Sequence, residues 1–453
     1  MTNTAPITKT INKTIPIPTG KVALAALQAI RREGHMLAAI QVFHRELGDI
    51  FRLRLPRLNV LMMVGPEANR MLLVSDYKNV RWRTESDPIT RLLGHGLLVE
   101  DGPIHDESRK VMNPSVHKRA LAGYVECMWR RTDQIAATWE GAAEPVDLLE
   151  EMRKVTILIT METLFSVDYE AEMDALWEPI MAMLRYISPG PWLFWPNMPR
   201  PQFRKPFAQI DESIFAIIRR RREERESGAN EPDASLDLLD LMIEAEMDDQ
   251  LIRDQILTMF IAGHDTSTAM LAWALYFLAT EPRVFAKARA EVDEVLGDQP
   301  PRMDQMGALR YLGHVLDESL RLYPPAHVGS RVALTELEFK GHTIPAGTRM
   351  MYSIYLSHRD PKEWENPNEF IPERFDTPAG QRAYTPYAFV PFGGGLRNCI
   401  GAGFGQVEGK VVLARILQQY DLEYVGGKVK PKMAVTIEPR PGVFVRVRKR
   451  KRS

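Results

Sequence analysis

Cysteine is almost missing: the 453 residues hold two, Cys127 and Cys399. Two thiols cannot build a disulfide framework, and a reducing compartment, the cytoplasm, fits that usage best. A dominant charge is missing too. The formal net charge is -1, whereas a dedicated nucleic-acid binder carries a marked basic excess, so nucleic acid is not an expected partner. Nor is there a long hydrophobic run. Spanning a bilayer takes ~18 uninterrupted apolar residues, and the stretch VALAALQAI (22–30) is cut short by the RREGH that follows. No transmembrane anchor is expected. The opening MTNTAPITKTINKTIPIPTG lacks the apolar core of a signal peptide, and residues 1–14 read as a flexible lead-in.

What is present is ordinary globular material, 45% hydrophobic and 26% charged, enough to bury a large core. Helical periodicity dominates. KVALAALQAIRREGHMLAAIQVFHREL predicts a helix interrupted at Gly34. LAGYVECMWRRTDQIAATWE, DLLEEMRKVTILITMETLF and QIDESIFAIIRRRREERE predict three more. DIFRLRLPRLNVLMMVG alternates around Pro56 and predicts a hairpin. SPGPWLFWPNMPRPQF (188–203) predicts loop, because proline removes backbone donors, and SGANEPDAS (227–235) predicts a linker-like loop. From ELEFKGHTIPAGTRMMYSIY onward alternation predicts a small sheet, and MAVTIEPRPGVFVRVRKR predicts a hairpin. The expected fold class is mainly α with a minor β part (α+β). One domain is expected over 15–448, followed by a basic tail, 449–453.

Chemistry concentrates where the scarce cysteine sits, in FVPFGGGLRNCIG (389–401). A metal-binding cysteine has to be a thiolate. GQVEGKVVLARILQQYD, just after it, predicts a helix whose N-terminus turns partial positive charge toward the sulfur. Gly393, Gly394, Gly395 and Gly401 carry no Cβ, so backbone can pass close to a large flat group. Arg397 can pair with a carboxylate on that group, and Phe392 can pack against its face. A haem with an axial cysteine thiolate meets each demand. A phosphate loop does not, since no Lys followed by Ser or Thr completes it.

A second constellation is FIAGHDTSTAM (260–270), expected to be flanked by two helices. Ala262 and Gly263 are small enough for a cofactor or diatomic ligand to approach the backbone. Asp265 and Thr266 stand side by side, a carboxyl and a hydroxyl of the kind a proton relay needs; equally, Thr266 could begin a new helix. Glu318 and Arg321 in LDESLRLYPPA are spaced i,i+3 on one helix face. His105 and Arg109 in DGPIHDESRK are spaced i,i+4.

Together these motifs resemble a family. Phe392-x-x-Gly395-x-Arg397-x-Cys399-x-Gly401 matches the haem-binding signature of the cytochromes P450, the cysteine-ligated haem monooxygenases. AGHDTS resembles the family's A-G-x-[DE]-T-[ST], Glu318-x-x-Arg321 its E-x-x-R, and PERF, with Arg374, its matching partner site. The likeness runs over roughly 15–448. It implies haem b (iron protoporphyrin IX) on Cys399, with Phe392, Gly393, Gly395, Arg397 and Gly401 around it and His105, Arg109 and Arg331 on its propionates. It implies that Thr266 hydrogen-bonds the oxygen species, that Asp265 relays protons, and that Ala262 and Gly263 open the helix groove. Glu318, Arg321 and Arg374 become a structural network behind the cysteine loop.

The same resemblance implies insertion of one atom of O2 into an apolar small molecule, such as a fatty acid, terpenoid or carotenoid. Its walls are expected from 84–101, 176–196 and AHVGS after Pro325, with Leu92, Leu93, Leu97, Met183, Trp192, Phe194 and Trp195. The aromatic stretch is also a candidate for peripheral membrane contact. No reductase-like segment follows the cysteine, so a ferredoxin or flavodoxin-like donor with its NAD(P)H reductase is implied. Arg109, Lys110, Lys118, Arg397 and Lys410 would steer it. Two rivals stay open: a peroxide-driven hydroxylase, disfavoured by the retained acid–alcohol pair, and a thiolate-haem gas or redox sensor, disfavoured by the lack of an output domain.

Overall fold

The computed structural model describes residues 13–55, 58–193, 195, 198–227, 237–378 and 384–451. Most of the lead-in, the turn at Pro56, Phe194, all but the first residue of the 227–235 loop and the last two residues of the basic tail lie outside them.

Helices form where the periodicity places them. Gly20–Glu33 and Leu37–Leu47 are separated at Gly34, whose φ of 78° is left-handed backbone that glycine adopts without steric cost. Lys118–Ala137, Leu148–Phe165 and Arg204–Glu226 follow. Leu148–Phe165 is apolar on nearly every face and therefore buried, lying along the helix Asp249–Thr280 in the centre of the main core.

That central helix corrects one expectation. FIAGHDTSTAM does not divide two helices; Asp249–Thr280 is one helix of 32 residues. Inside it Thr266 Oγ1 donates to the Ala262 carbonyl at 2.6 Å and Thr268 Oγ1 to that of His264 at 2.7 Å. These i−4 bonds let hydroxyl residues sit within a helix. The cap is Asp248, whose carboxylate accepts from the Leu251 N–H at 2.9 Å, as an N-cap should.

Strands are the minor part. Ile50–Leu55 and Leu58–Met63 form the expected antiparallel hairpin, Ile50 opposite Met63. The sheet continues through Arg349–Ser353, Val328–Ala333 and Val80–Arg81. The expected hairpin near residue 440 is a second correction. Ile437–Arg440 pairs with Lys430–Met433, while Phe444–Lys449 joins Tyr420–Tyr424 and Val146–Asp147 in another sheet. The cause is Asp147, whose carboxylate accepts from the Val443 N–H at 2.9 Å and draws the chain away at the Pro441–Gly442 turn.

The proline-rich stretch is loop with two short 3₁₀ turns, Pro191–Leu193 and Pro201–Phe203. It packs largely on itself. The Tyr186 ring meets Phe203 and Phe207 edge-on at 5.3 and 4.9 Å, and Arg200 lies 4.0 Å over Tyr186. Trp195 is left 53% exposed. Leu92, Leu93, Leu97 and Met183 are buried in the main core.

Candidate active site

The cysteine loop is shaped by its glycines. Gly393 and Gly395 have φ of 70° and 65°, the left-handed region. A Cβ on Gly395 would stand 2.2 Å from the Leu73 carbonyl oxygen, so the close approach this glycine permits is to the chain's own backbone. The Cys399 N–H donates to the Phe392 carbonyl at 2.8 Å and the Asn398 N–H to that of Gly395 at 3.2 Å. The helix Ala402–Gln419 starts directly after Gly401. Cys399 is exposed at its own surface yet set deep, and the surrounding protein governs its charge. Burial pushes the thiol up, while the Gly401 N–H and the Arg109 charge pull the other way. The helix terminus alone therefore does not deliver the thiolate; a cation at the sulfur has to.

Four cationic or basic side chains converge there. Arg109 Nη2 donates to Asn398 Oδ1 at 2.8 Å, and its charge faces Cys399. His105, one turn earlier, is buried with its Nδ1 2.8 Å from Asp106. Burial lowers its pKa, Asp106 opposes, and Arg397 and Arg109 lower it further. Arg397 pairs with Asp101 at 2.9 Å and donates to the Glu100 carbonyl. Arg331 is buried, stacked 4.5 Å over the Trp82 ring and 5.5 Å from that of Tyr352. It stands near enough to Arg397 to help lower that residue's pKa, after burial itself. A soft sulfur faced by Arg109, with Arg397 on the same loop and Arg331 near Arg397, fits an iron-bearing macrocycle with carboxylate edges. The expected donor face is smaller than predicted. Lys110 and Lys118 are exposed with Arg109 beside them, but Arg397 turns inward and Lys410 Nζ donates to the Met306 carbonyl at 2.8 Å.

On the central helix, every residue from Ile252 to Leu275 is buried except Ala262, Gly263 and Thr266. One face in the middle of a packed helix is thus left uncovered by protein. A Cβ on Gly263 would meet Thr160 of the neighbouring helix at 3.3 Å, so this glycine serves helix–helix approach. Asp265 and Thr266, adjacent in sequence, diverge by about 100° around the helix. Asp265 is buried and bonds Arg153 at 2.9 Å; Arg153 bonds Glu438 at 2.6 Å, and Glu438 bonds Arg440 at 2.8 Å. Burial pushes the Asp265 carboxyl up, Arg153 opposes, and Glu438 adds to the rise. Next along, Ser267 Oγ donates to Glu408, a wholly buried carboxyl that desolvation pushes up to about 8. Sequence reading passed over Arg153, Glu438 and Glu408. No local signal marks them: Arg153 and Glu408 each have another charge within two positions, and Glu438 lies in a strand.

Behind the loop, Glu318 and Arg321 are fully buried and bidentate, at 2.7 and 2.8 Å. Arg374 joins Glu318 at 2.9 Å. Arg321 also donates to the His358 carbonyl at 2.8 Å. His358 then accepts the Val390 N–H at Nε2, 2.9 Å, while its Nδ1 lies 3.3 Å from the Leu320 carbonyl. This imidazole, also passed over in the sequence, links the charged network to the start of the cysteine loop.

Comparison with known proteins gives the family. Cyclooctatin synthase of Streptomyces melanosporofaciens is 31% identical over 413 residues, 86% of this chain and 87% of that protein. Cyclooctat-9-en-7-ol 5-monooxygenase of the same organism is 30% identical over 402 residues, 84% of each. Protein LUTEIN DEFICIENT 5, chloroplastic, of Arabidopsis thaliana is 29% identical over 456 residues, 94% of this chain and 76% of that protein. Among the described residues no helix is long and apolar enough to cross a membrane. A family profile described as Cytochrome P450 matches residues 15–446, and the chain belongs to that family of haem-iron monooxygenases, which use O2 and a redox partner.

Proposed function

We propose that Cys399 would hold haem b through its sulfur and that the enzyme oxygenates an apolar terpenoid or carotenoid-like molecule. The observation that carries this reading is the convergence of Arg109, Arg331, Arg397 and His105 on one cysteine loop. When bound, the haem supplies dioxygen activation at an iron whose thiolate ligand favours O–O cleavage. The chain's own residues do the rest. The three arginines and His105 take the carboxylate edges. The Gly401 N–H and Arg109 hold negative charge on the sulfur. The Thr266 hydroxyl, on the uncovered face of the central helix, gives up its bond to the Ala262 carbonyl to donate into the site. Asp265 supplies that hydroxyl's proton by exchanging its Arg153 partner for water.

Two relatives are named for cyclooctatin and cyclooctat-9-en-7-ol and a third for lutein; these names favour terpenoids and carotenoids over fatty acids. The buried Leu92, Leu93, Leu97 and Met183 support an apolar substrate. Arg109, Lys110 and Lys118 suit an acidic ferredoxin or flavodoxin-like donor, reduced by its own NAD(P)H reductase, in a reducing cytoplasm. X-ray absorption at the iron edge of the holoenzyme tests the ligand. One sulfur neighbour is expected, lost in Cys399→Ser; only nitrogen and oxygen neighbours in the unmodified enzyme would overturn it. Titration with terpenoids, carotenoids and fatty acids, read by haem spin state, tests the substrate class. A response confined to fatty acids overturns that part alone.

A further inference from the structure

We infer that Asp101 is a positioning residue for the cofactor's carboxylate edge, setting Arg397 directly and Arg331 through Trp82. The inference rests on the haem reading above. Asp101 occupies the N-cap position of Gly102–Met112, the helix that carries His105 and Arg109, yet its side chain makes no capping bond there. Both oxygens are committed elsewhere. Oδ1 pairs with Arg397 Nη2 at 2.9 Å, and Oδ2 accepts the N–H groups of Trp82 at 2.9 Å and Arg83 at 2.7 Å. Trp82, held in this way, is the platform 4.5 Å beneath Arg331. A small cavity of about 30 Å³ is lined by Trp82, Asp101, Arg331, Leu396 and Arg397 together.

The physical reason is repulsion and orientation. Two guanidiniums close together raise each other's energy, and Arg331 and Arg397 line one small cavity with Asp101, which pairs with Arg397 at 2.9 Å. A carboxylate in the same cavity lining offsets that repulsion. A guanidinium recognises a carboxylate only when its planar fork is aimed. Both contacts of Arg397, to Asp101 and to the Glu100 carbonyl, use Nη2, so Nε–H and Nη1–H are the donors left to face a ligand. Asp101 fixes the fork without consuming it.

The test is haem transfer from the holoenzyme to excess apomyoglobin, with the reduction midpoint measured alongside. Asp101→Asn keeps the size and one acceptor but removes the charge. It should lose haem about tenfold faster, as outer partners of a metal site typically cost, and its midpoint should move positive because a negative charge has gone. Asp101→Glu should recover part of the retention. Haem loss by Asp101→Asn that is unchanged or slower overturns the inference. If that variant also unfolds more readily, Trp82 decides. Acceleration in Trp82→Ala but not Trp82→Phe supports the platform role, and no acceleration in either overturns it. Arg331→Lys and Arg397→Lys separate the layers: if neither speeds haem loss, the carboxylate assignment itself fails rather than the role of Asp101.

Discussion

The two sides of the site are held by different means. The cysteine loop takes its shape from its own backbone, Cys399 to Phe392, Asn398 to Gly395 and Gly393 to Val390, all within ten residues, and is then tied outward through Val390, Asn398 and Arg397. The central helix is held by charged and polar groups that arrive from far along the chain. Arg153 lies 112 positions from Asp265, Glu438 lies 285 from Arg153, and Glu408 lies 141 from Ser267. A loop closed on itself can be carried by a short motif and tolerates change elsewhere. A helix pinned by remote ions inherits the fate of every segment that supplies one. The contrast also sorts function from support: the loop presents the sulfur, while the remote charges present nothing to a ligand and orient what does.

Four experiments break or sharpen this contrast. The largest effect is expected on the loop side, where Cys399→Ser should abolish product formation while the far-ultraviolet circular dichroism stays helical. Next comes the helix side. Arg153→Met leaves Asp265 buried without its cation and Glu438 with Arg440 alone, which should cost about 3–5 kcal/mol in urea unfolding. Adding Asp265→Asn should return part of it. A loss under about 1 kcal/mol for Arg153→Met, the range of an exposed pair, would remove the claim that remote ions pin the helix.

Thr266→Ala should be smaller in stability and large in chemistry. Turnover coupled to product should fall about a hundredfold, the scale of one proton-transfer group, with the unfolding midpoint nearly unmoved. A parallel loss of stability would make Thr266 a helix-packing residue instead.

The smallest effects are pH slopes of opposite sign. Glu408 has a folded pKa of about 8 against an ordinary 4.5, so the folded state holds a proton the unfolded state releases. Its contribution is intact below about 4.5 and is lost as pH rises through 8. His358 is held down to about 3 from 6.5 by burial, with Arg321 adding. Its neutral form contributes fully above 6.5 and loses ground as pH falls toward 3. Glu408→Gln should flatten the alkaline slope and His358→Gln the acid one, read from unfolding free energy against pH. If either variant leaves its slope unchanged, that buried group is not what sets it.

Legibility follows the same division. The cysteine loop and the Glu318–Arg321–Arg374 network could be read from the chain because their spacing is local and chemically unusual; the structure brings each of those side chains together. The break at Gly34 was legible for the same reason. What was not legible depended on distant partners. Asp265 and Thr266 look like caps in isolation, and only Arg153 and the Ala262 carbonyl make them helix-interior residues. The strand Phe444–Lys449 looked like the second arm of a hairpin, and Asp147, 296 positions from Val443, moved it to another sheet. Lys410 looked like a surface charge, and the Met306 carbonyl holds it in. Arg153, Asp101 and His358 carry no local sign at all.

Arg153 and Trp273 both find their partners around residue 437, since Trp273 Nε1 donates to the Ile437 carbonyl at 2.9 Å across 164 positions. A polypeptide leaving the ribosome in order exposes the whole central helix well before those partners have been translated. For that interval Arg153 on the neighbouring helix has Asp265 but not Glu438, and the Trp273 indole N–H has no Ile437 carbonyl to meet. The arrival of two adjacent residues, Ile437 and Glu438, therefore completes contacts for two helices made much earlier in the chain.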